Sequence, residues 1–147
     1  AVKLNPSYPE AHNSLGQALV HSGFYSDAEP HFNKAIELNP LDTKAIIYKD
    51  GLFFAHMGLG NFEMAYSLIQ ECVAQFSDAG FYKGFRASVL GYLNKRDEAK
   101  LALEEYLALR PNLKKKSDYK KIFVPNSNLA DILIEGLVKA GWEPEAE

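Results

Sequence analysis

The chain has 147 residues, of which 47% are hydrophobic and 24% charged, which suffices to bury a core as one domain or a short array. Its net charge of −3 at pH 7 excludes the basic balance typical of duplex nucleic-acid binders, and no apolar run is long enough to span a bilayer. A single cysteine, Cys72, excludes an intramolecular disulfide framework and favours a reducing compartment, which we interpret as the cytoplasm.

The beginning of the chain repeats a pattern found further along. Residues 1–6 and 35–40 both read as an alanine, two further residues and then Leu-Asn-Pro. The second copy ends a predicted helix. We therefore expect residues 1–8 to be the truncated end of a preceding repeat, with an apolar face around Val2 and Leu4 that a neighbouring repeat would cover.

Residues 9–42 predict two helices joined by a turn at Gly23. Apolar residues recur at helical spacing on both sides of this turn: Leu15, Gly16 and Leu19 before it, and Ala28, Phe32 and Ala35 after it. Because Gly16 and Ala28 are compact, the two helices are expected to approach closely, with the larger side chains around their contact.

Residues 43–79 repeat this pattern with three inserted residues. The second-helix positions lie 37 residues after their counterparts: Phe62, Ala65, Ile69 and Cys72 follow Tyr25, Ala28, Phe32 and Ala35. The best register of the first helix, residues 43–57, places Gly51 at the position of Gly16. The same register puts the acidic Asp50 at the position of Leu15, which is an anomaly.

Residues 80–113 return to a spacing of 34, since Ala99 follows Ala65 by that distance. Ala87 and Leu90 supply the small and large positions of a first helix predicted over residues 79–93. Asn94 replaces the turn glycine, because asparagine tolerates a left-handed backbone.

Residues 114–147 break the period and predict a basic connection followed by capping helices. Ser117 is expected to cap a short helix that reaches Ile122, and Asn126 or Ser127 to cap a final helix over residues 128–140. The final helix carries one apolar stripe, formed by Leu129, Ile132, Leu133, Leu137 and Ala140. We expect this helix to cover the last repeat.

The unit at residues 9–42, with its period of 34 residues, resembles the tetratricopeptide repeat. The resemblance implies an all-α fold: a right-handed superhelix of about three helix-turn-helix repeats with a C-terminal helical cap. It also implies a non-catalytic scaffold for a protein or peptide partner. The alternative hypothesis is a self-association element, a homodimer formed through the truncated N-terminal face.

The segment 134–141, together with Arg110-Pro111 and residues 119–123, resembles the C-terminal end of tetratricopeptide regions in bacterial class III adenylate or guanylate cyclase proteins. This resemblance implies a regulatory or docking segment of a larger cytoplasmic signalling protein. No part of the chain matches the cyclase catalytic domain, so the resemblance transfers no catalytic, metal-binding or nucleotide-binding residue.

In repeats of this type the first helices line a groove in which ligands lie. The register nominates Asn13, Gln17 and His21 from repeat one, Tyr48, Leu52 and His56 from repeat two, and Phe81, Gly84, Ser88 and Tyr92 from repeat three. Amides and aromatic rings suit recognition of a peptide backbone, whereas solvated helix faces are the alternative interpretation. Of the residue types that grip a C-terminal carboxylate in related co-chaperones, only Asn13 is present, which argues against that mode.

Other candidate sites are weaker. His21 and His56 could form a metal-binding or pH-sensitive pair, but no third ligand supports it, and we interpret both as solvated. The basic stretch 110–121 could bind nucleic acid or an anionic membrane, but a solvated connection is favoured. No residues converge as acid, base or nucleophile, so we predict no enzymatic activity, cofactor or metal.

Overall fold

The computed structural model describes residues 8–41, 43–122 and 124–147. In these residues the chain forms eight helices and no β-strand, which confirms the all-α prediction. They are α1 (Pro9–His21), α2 (Tyr25–Leu38), α3 (Ala45–Leu59), α4 (Phe62–Gln75), α5 (Gly80–Tyr92), α6 (Arg96–Leu109), α7 (Lys116–Tyr119) and α8 (Ser127–Lys139). The first six pack as three antiparallel pairs in a helical solenoid of the tetratricopeptide type. None of the described helices is long and apolar enough to cross a membrane.

The compact positions predicted from the sequence lie in the interior, as expected. Gly16, Ala28, Ala65, Ala87 and Ala99 are all buried. The ring of Phe32 shows why small residues are required, because it packs against Gly16 and against Gly51 of the next repeat. A Cβ atom at Gly16 would come within 2.9 Å of this ring. Any larger residue there would push α1 and α2 apart.

The turns within the three pairs share one backbone conformation. Gly23, Gly60 and Asn94 have positive φ angles of 81°, 75° and 57°. Such angles strain most side chains, and asparagine tolerates them better than other non-glycine residues. The prediction that Asn94 takes the place of a turn glycine is therefore confirmed.

The C-terminal helix α8 lies on α5 and also contacts α3. Its stripe is as predicted, since Leu129, Leu133 and Leu137 are fully buried. Of the two candidate caps, Asn126 is the one used: its Oδ1 accepts a hydrogen bond from the backbone N–H of Leu129 at 2.8 Å. The prediction that this helix covers the last repeat is confirmed.

The start of α8 is also joined to the first repeat. The Nδ2 of Asn126 donates to the carbonyl oxygen of Val20 at 2.8 Å, and Nδ2 of Asn128 donates to the hydroxyl of Tyr25 at 3.0 Å. The segment before α8 therefore spans the array from its third repeat back to its first. The short helix α7 begins at Lys116, so Ser117 lies inside it and does not cap it as predicted, and it ends at Tyr119 rather than at the predicted Ile122.

Some predictions fall on residues that the structure does not describe. The expected end of a preceding repeat, with Val2 and Leu4, lies outside the described residues, as does Phe123 of the basic stretch. Self-association through that N-terminal face stays a prediction.

Candidate functional site

The predicted ligand residues lie on α1, α3 and α5, whose common face we call the first-helix surface. On α1, Asn13 and Gln17 are partly exposed and His21 is exposed. The side-chain amide of Gln17 lies beside Gly51, so α1 and α3 meet at this point. The Oδ1 atom of Asn13 is buried and has no hydrogen-bond partner among the described residues.

On α3, all three predicted ligand residues are buried in the core. Tyr48, Leu52 and His56 expose only 1%, 5% and 4% of their surface. This helix packs against α1, α2, α4 and α8, which leaves few of its side chains exposed. The three residues are therefore closed to a ligand on the first-helix surface.

The expectation that His56 is solvated is wrong. Its Nε2 atom lies 3.6 Å from Oε1 of Glu29, and its Nδ1 lies 3.3 Å from Nδ2 of Asn61. Burial lowers the pKa of His56, while the nearby Glu29 carboxylate partly opposes this effect. His21, in contrast, is exposed, and its Nδ1 lies 2.9 Å from the carbonyl oxygen of Gln17.

On α5, the C-terminal half is covered by α8. The hydroxyl of Ser88 donates to the carbonyl oxygen of Leu133 at 2.9 Å, and the hydroxyl of Tyr92 donates to that of Ile132 at 2.7 Å. The two backbones approach closely where Gly91 of α5 faces Gly136 of α8. The final helix therefore occupies the surface that Ser88 and Tyr92 were predicted to offer to a ligand.

The N-terminal half of α5 is open. Phe81 exposes 40% of its surface, whereas Gly84 faces α6, where a Cβ atom would lie 2.7 Å from the ring of Tyr106. Of the predicted residues in repeat three, Phe81 is thus the one that remains accessible to a ligand.

A cavity of about 230 Å³ opens between α3 and the N-terminal half of α5. We call it the aromatic cleft, and its lining residues are Asp50, Phe54, Phe81, Phe85, Arg110 and Ile122. The ring of Phe85 forms its floor against α3: its centroid lies 5.5 Å from that of Phe53 and 5.3 Å from that of Phe54. The side chains at the interface of the two helices are therefore mostly aromatic.

Asp50 is the acidic group of this cleft. Its Oδ1 atom is buried and has no hydrogen-bond partner among the described residues. Burial raises the pKa of Asp50 to about 7, because the charged carboxylate loses hydration. The sequence marked Asp50 only as an anomaly, yet an acidic residue in an otherwise apolar helix was the available signal.

The basic stretch is tied to the rest of the C-terminal region. Asp118 accepts hydrogen bonds from the backbone N–H groups of Lys114 and Lys115, which together with the Lys121 ammonium lower its pKa. The ammonium of Lys120 lies 3.2 Å from a carboxylate oxygen of Asp131 on α8. These contacts give part of the stretch a structural role.

The remaining candidates show no constellation of ligands. Within the described ranges, no group of three or more histidine, cysteine, aspartate or glutamate side chains is placed to hold a metal ion. Cys72 is fully buried, and burial is the main cause that raises the pKa of its thiol to about 12. The prediction that Cys72 belongs to the core is confirmed.

These features define a helical-repeat scaffold that carries an open aromatic cleft. The family model of the tetratricopeptide repeat matches residues 9–42, which contain α1 and α2. Repeats of this family generally mediate protein–protein interaction and are typically non-catalytic. Among the curated proteins compared with the chain, none matches.

Proposed function

We propose that the chain is an interaction scaffold that binds a peptide segment of a partner protein on the open part of the first-helix surface. One observation carries the proposal: the aromatic cleft is open, whereas the neighbouring part of the same surface is covered by α8. Clefts with aromatic walls and a few polar groups are typical of peptide anchoring sites. The tetratricopeptide match at residues 9–42 supports the same class of function.

The surface proposed to bind the peptide draws on three helices. It consists of Asn13 and Gln17 on α1, Ile47 and Asp50 on α3, and Phe81 on α5. The amide of Gln17 can donate to and accept from a peptide backbone, whereas Asn13 can offer only its donor because its Oδ1 atom is buried. Ile47 and Phe81, exposed by 50% and 40%, supply apolar contact area. We call these five residues the open strip.

The structure changes which residues should be substituted to test this function. Tyr92 was predicted to contact the ligand, but its hydroxyl holds α8 in place. Its removal would alter the docking of α8 as well as any binding. Phe81 is the better test residue, because its ring stands at the mouth of the cleft.

A binding experiment can use peptides selected on the chain itself. Peptides are selected from a random displayed library, and their dissociation constants are measured by fluorescence anisotropy. We expect Phe81→Ser to weaken binding at least tenfold and Gln17→Ala about threefold, as for a central and a peripheral contact. Leu101→Ser is the matched control, because Leu101 exposes 59% of its surface on α6.

The proposal fails if the selected peptides bind the Phe81→Ser variant as tightly as the original chain. It also fails if Leu101→Ser weakens binding and Phe81→Ser does not, because the peptide would then lie on α6 and not on the first-helix surface. Circular dichroism of each variant shows whether the fold is kept.

We further infer that this scaffold belongs to a larger cytoplasmic protein, such as a cyclase-like signalling protein. The resemblance of residues 134–141 to the end of cyclase-associated repeat regions supports this, and a buried free thiol at Cys72 suits a reducing compartment. Sequencing the full gene tests it. A cyclase catalytic domain encoded upstream would support the inference, and a secretory signal sequence would contradict it.

A further inference from the structure

We propose that the aromatic cleft binds a primary ammonium group, such as the end of a partner's lysine side chain, with the ammonium at Asp50 and its alkyl stem between the phenylalanine rings. The inference rests on the proposed function, since it names the chemical group that the open strip would take from a peptide. Its test, however, requires no peptide.

The positions of the side chains define a site with a polar end and an apolar entrance. Asp50 and Phe54 lie one turn apart on α3, and Phe81 and Phe85 lie one turn apart on α5. The Oδ1 atom of Asp50 has no access to solvent, whereas Phe81 is 40% exposed. Asp50 is partly exposed and lines the cleft, but one of its two carboxylate oxygens is buried, and the ring of Phe81 is the more exposed part of the lining.

This arrangement matches the chemistry of an alkylammonium ion. A buried carboxylate oxygen without a donor is costly, and a cationic donor compensates that cost better than a neutral one. The faces of aromatic rings also attract cations. The cavity of about 230 Å³ equals several water molecules at about 30 Å³ each, which is room for an unbranched four-carbon stem.

Among the described residues, no neighbouring charge is a cause of the shifted pKa of Asp50, which comes from burial. Tyr82 on α5 and Cys72 on α4 act on it electrostatically, but burial raises the pKa of both, so they are neutral at pH 7. Lys49 and Glu71, which lie near Cys72, pair with each other. The neutral Tyr82 and Cys72 and the Lys49–Glu71 pair therefore add no net charge beside the cleft.

Arg110 is the one lining residue with the same charge as the ligand. Its side chain is exposed, and within the described ranges it forms no ion pair with Asp50. Water screens an exposed charge, so Arg110 should weaken binding only slightly. Substitution of Arg110 by glutamine is therefore expected to strengthen ammonium binding about twofold.

The test uses n-butylammonium chloride as the probe and n-butanol as its neutral analogue, at constant ionic strength. Both are titrated into the ¹³C-labelled full chain while the aromatic signals and the side-chain carboxyl signal of Asp50 are followed by NMR. We expect saturable shifts of Phe54, Phe81 and Phe85 with the ammonium, and at least fivefold weaker binding of the alcohol. The titration midpoint of Asp50 should fall by at least half a pH unit when the ammonium is bound.

Two variants complete the test. Asp50→Asn should weaken ammonium binding at least tenfold, whereas Glu105→Gln, which removes the same charge from the exposed face of α6, should leave it unchanged. Equal binding of alcohol and ammonium, unchanged binding by Asp50→Asn, or an Asp50 midpoint that ignores the probe would each overturn the proposal. The midpoint is measured on the unmodified chain, so the test holds even if a variant misfolds.

The outcomes also separate this inference from the proposed function. If the selected peptides need Phe81 but n-butylammonium does not compete with them, the ammonium site alone is overturned. Saturable ammonium binding at Asp50, with selected peptides that ignore Phe81, would overturn the peptide surface alone.

Discussion

The two halves of α5 belong to one predicted surface, yet one is closed and the other is open. Around Gly91, the helix lies against the backbone of α8, and Ser88 and Tyr92 donate hydrogen bonds to that helix. Around Phe81, the same helix borders a cavity of about 230 Å³. The repeat pattern alone made no distinction between these halves.

The difference shows that an element outside the repeats decides where a ligand can bind. Helix α8 approaches α5 closely only where Gly91 and Gly136 meet, since a Cβ atom at either position would collide with the other helix. In the N-terminal half of α5, Gly84 faces α6 instead, and Phe81 and Phe85 border the cleft. Their bulky rings leave a cleft beside them that α8 does not fill.

The largest loss of stability is expected from a substitution in the half of α5 that α8 covers. In Gly91→Ala, the new Cβ atom meets the backbone of Gly136 and Ala140, which can move only if α8 moves. We expect a loss of about 3 kcal/mol in the free energy of unfolding, at the upper end for overpacking. Gly80→Ala on the same helix is the control, because its Cβ atom would meet only Leu109 at 3.5 Å. Urea denaturation measures both, and equal stabilities would contradict close packing of α8.

The next largest effect is the pH dependence of stability that Asp50 causes beside the open half of α5. The pKa of Asp50 is raised from 3.8 to about 7 in the folded chain, so between these values the folded state holds a proton that the unfolded state has lost. The contribution of Asp50 to stability therefore falls as pH rises from about 4 to about 7. Asp50→Asn removes this dependence.

Relative to the original chain, Asp50→Asn should gain about 2 kcal/mol in the free energy of unfolding from pH 4 to pH 8. The full shift corresponds to about 4 kcal/mol, which the opening of the cleft to solvent reduces. Urea denaturation at several pH values measures this difference, with Glu105→Gln as the control for net charge. A difference independent of pH would show that Asp50 is not desolvated.

A smaller effect concerns the start of α8. Asn126→Ala removes the N-cap and the hydrogen bond to Val20, and should cost about 1.5 kcal/mol. The neighbouring Ser127 is exposed, so Ser127→Ala should change stability by less than about 0.5 kcal/mol. Thermal unfolding of both variants decides between the two caps that the sequence allowed. The reverse order of stabilities would place the cap at Ser127.

The periodic part of the fold was predictable because its causes are local and repeated. Compact residues at Gly16, Ala28 and Ala65 predicted where helices meet, and all three are buried. The turn at Asn94 followed from the backbone preference of asparagine. The apolar stripe of α8 was also predictable, since its apolar residues recur at helical spacing.

The surface was less predictable, because exposure depends on contacts between distant segments. The sequence gives no direct sign that Ser88 and Tyr92 lie under α8, more than 40 residues away in the case of Ser88 and Leu133. His56 was misjudged because α3 is enclosed by several helices. Asp50 stood out as an anomaly, but its position in a cleft required the placement of α5.

Hydrogen–deuterium exchange of the unmodified chain tests most directly whether α8 closes half of the first-helix surface. We expect the backbone amides of α8 to be protected as strongly as those of α5, because the two helices unfold together. Exchange of α8 within seconds, while α5 stays protected for hours, would contradict it and would leave Ser88 and Tyr92 open to a ligand.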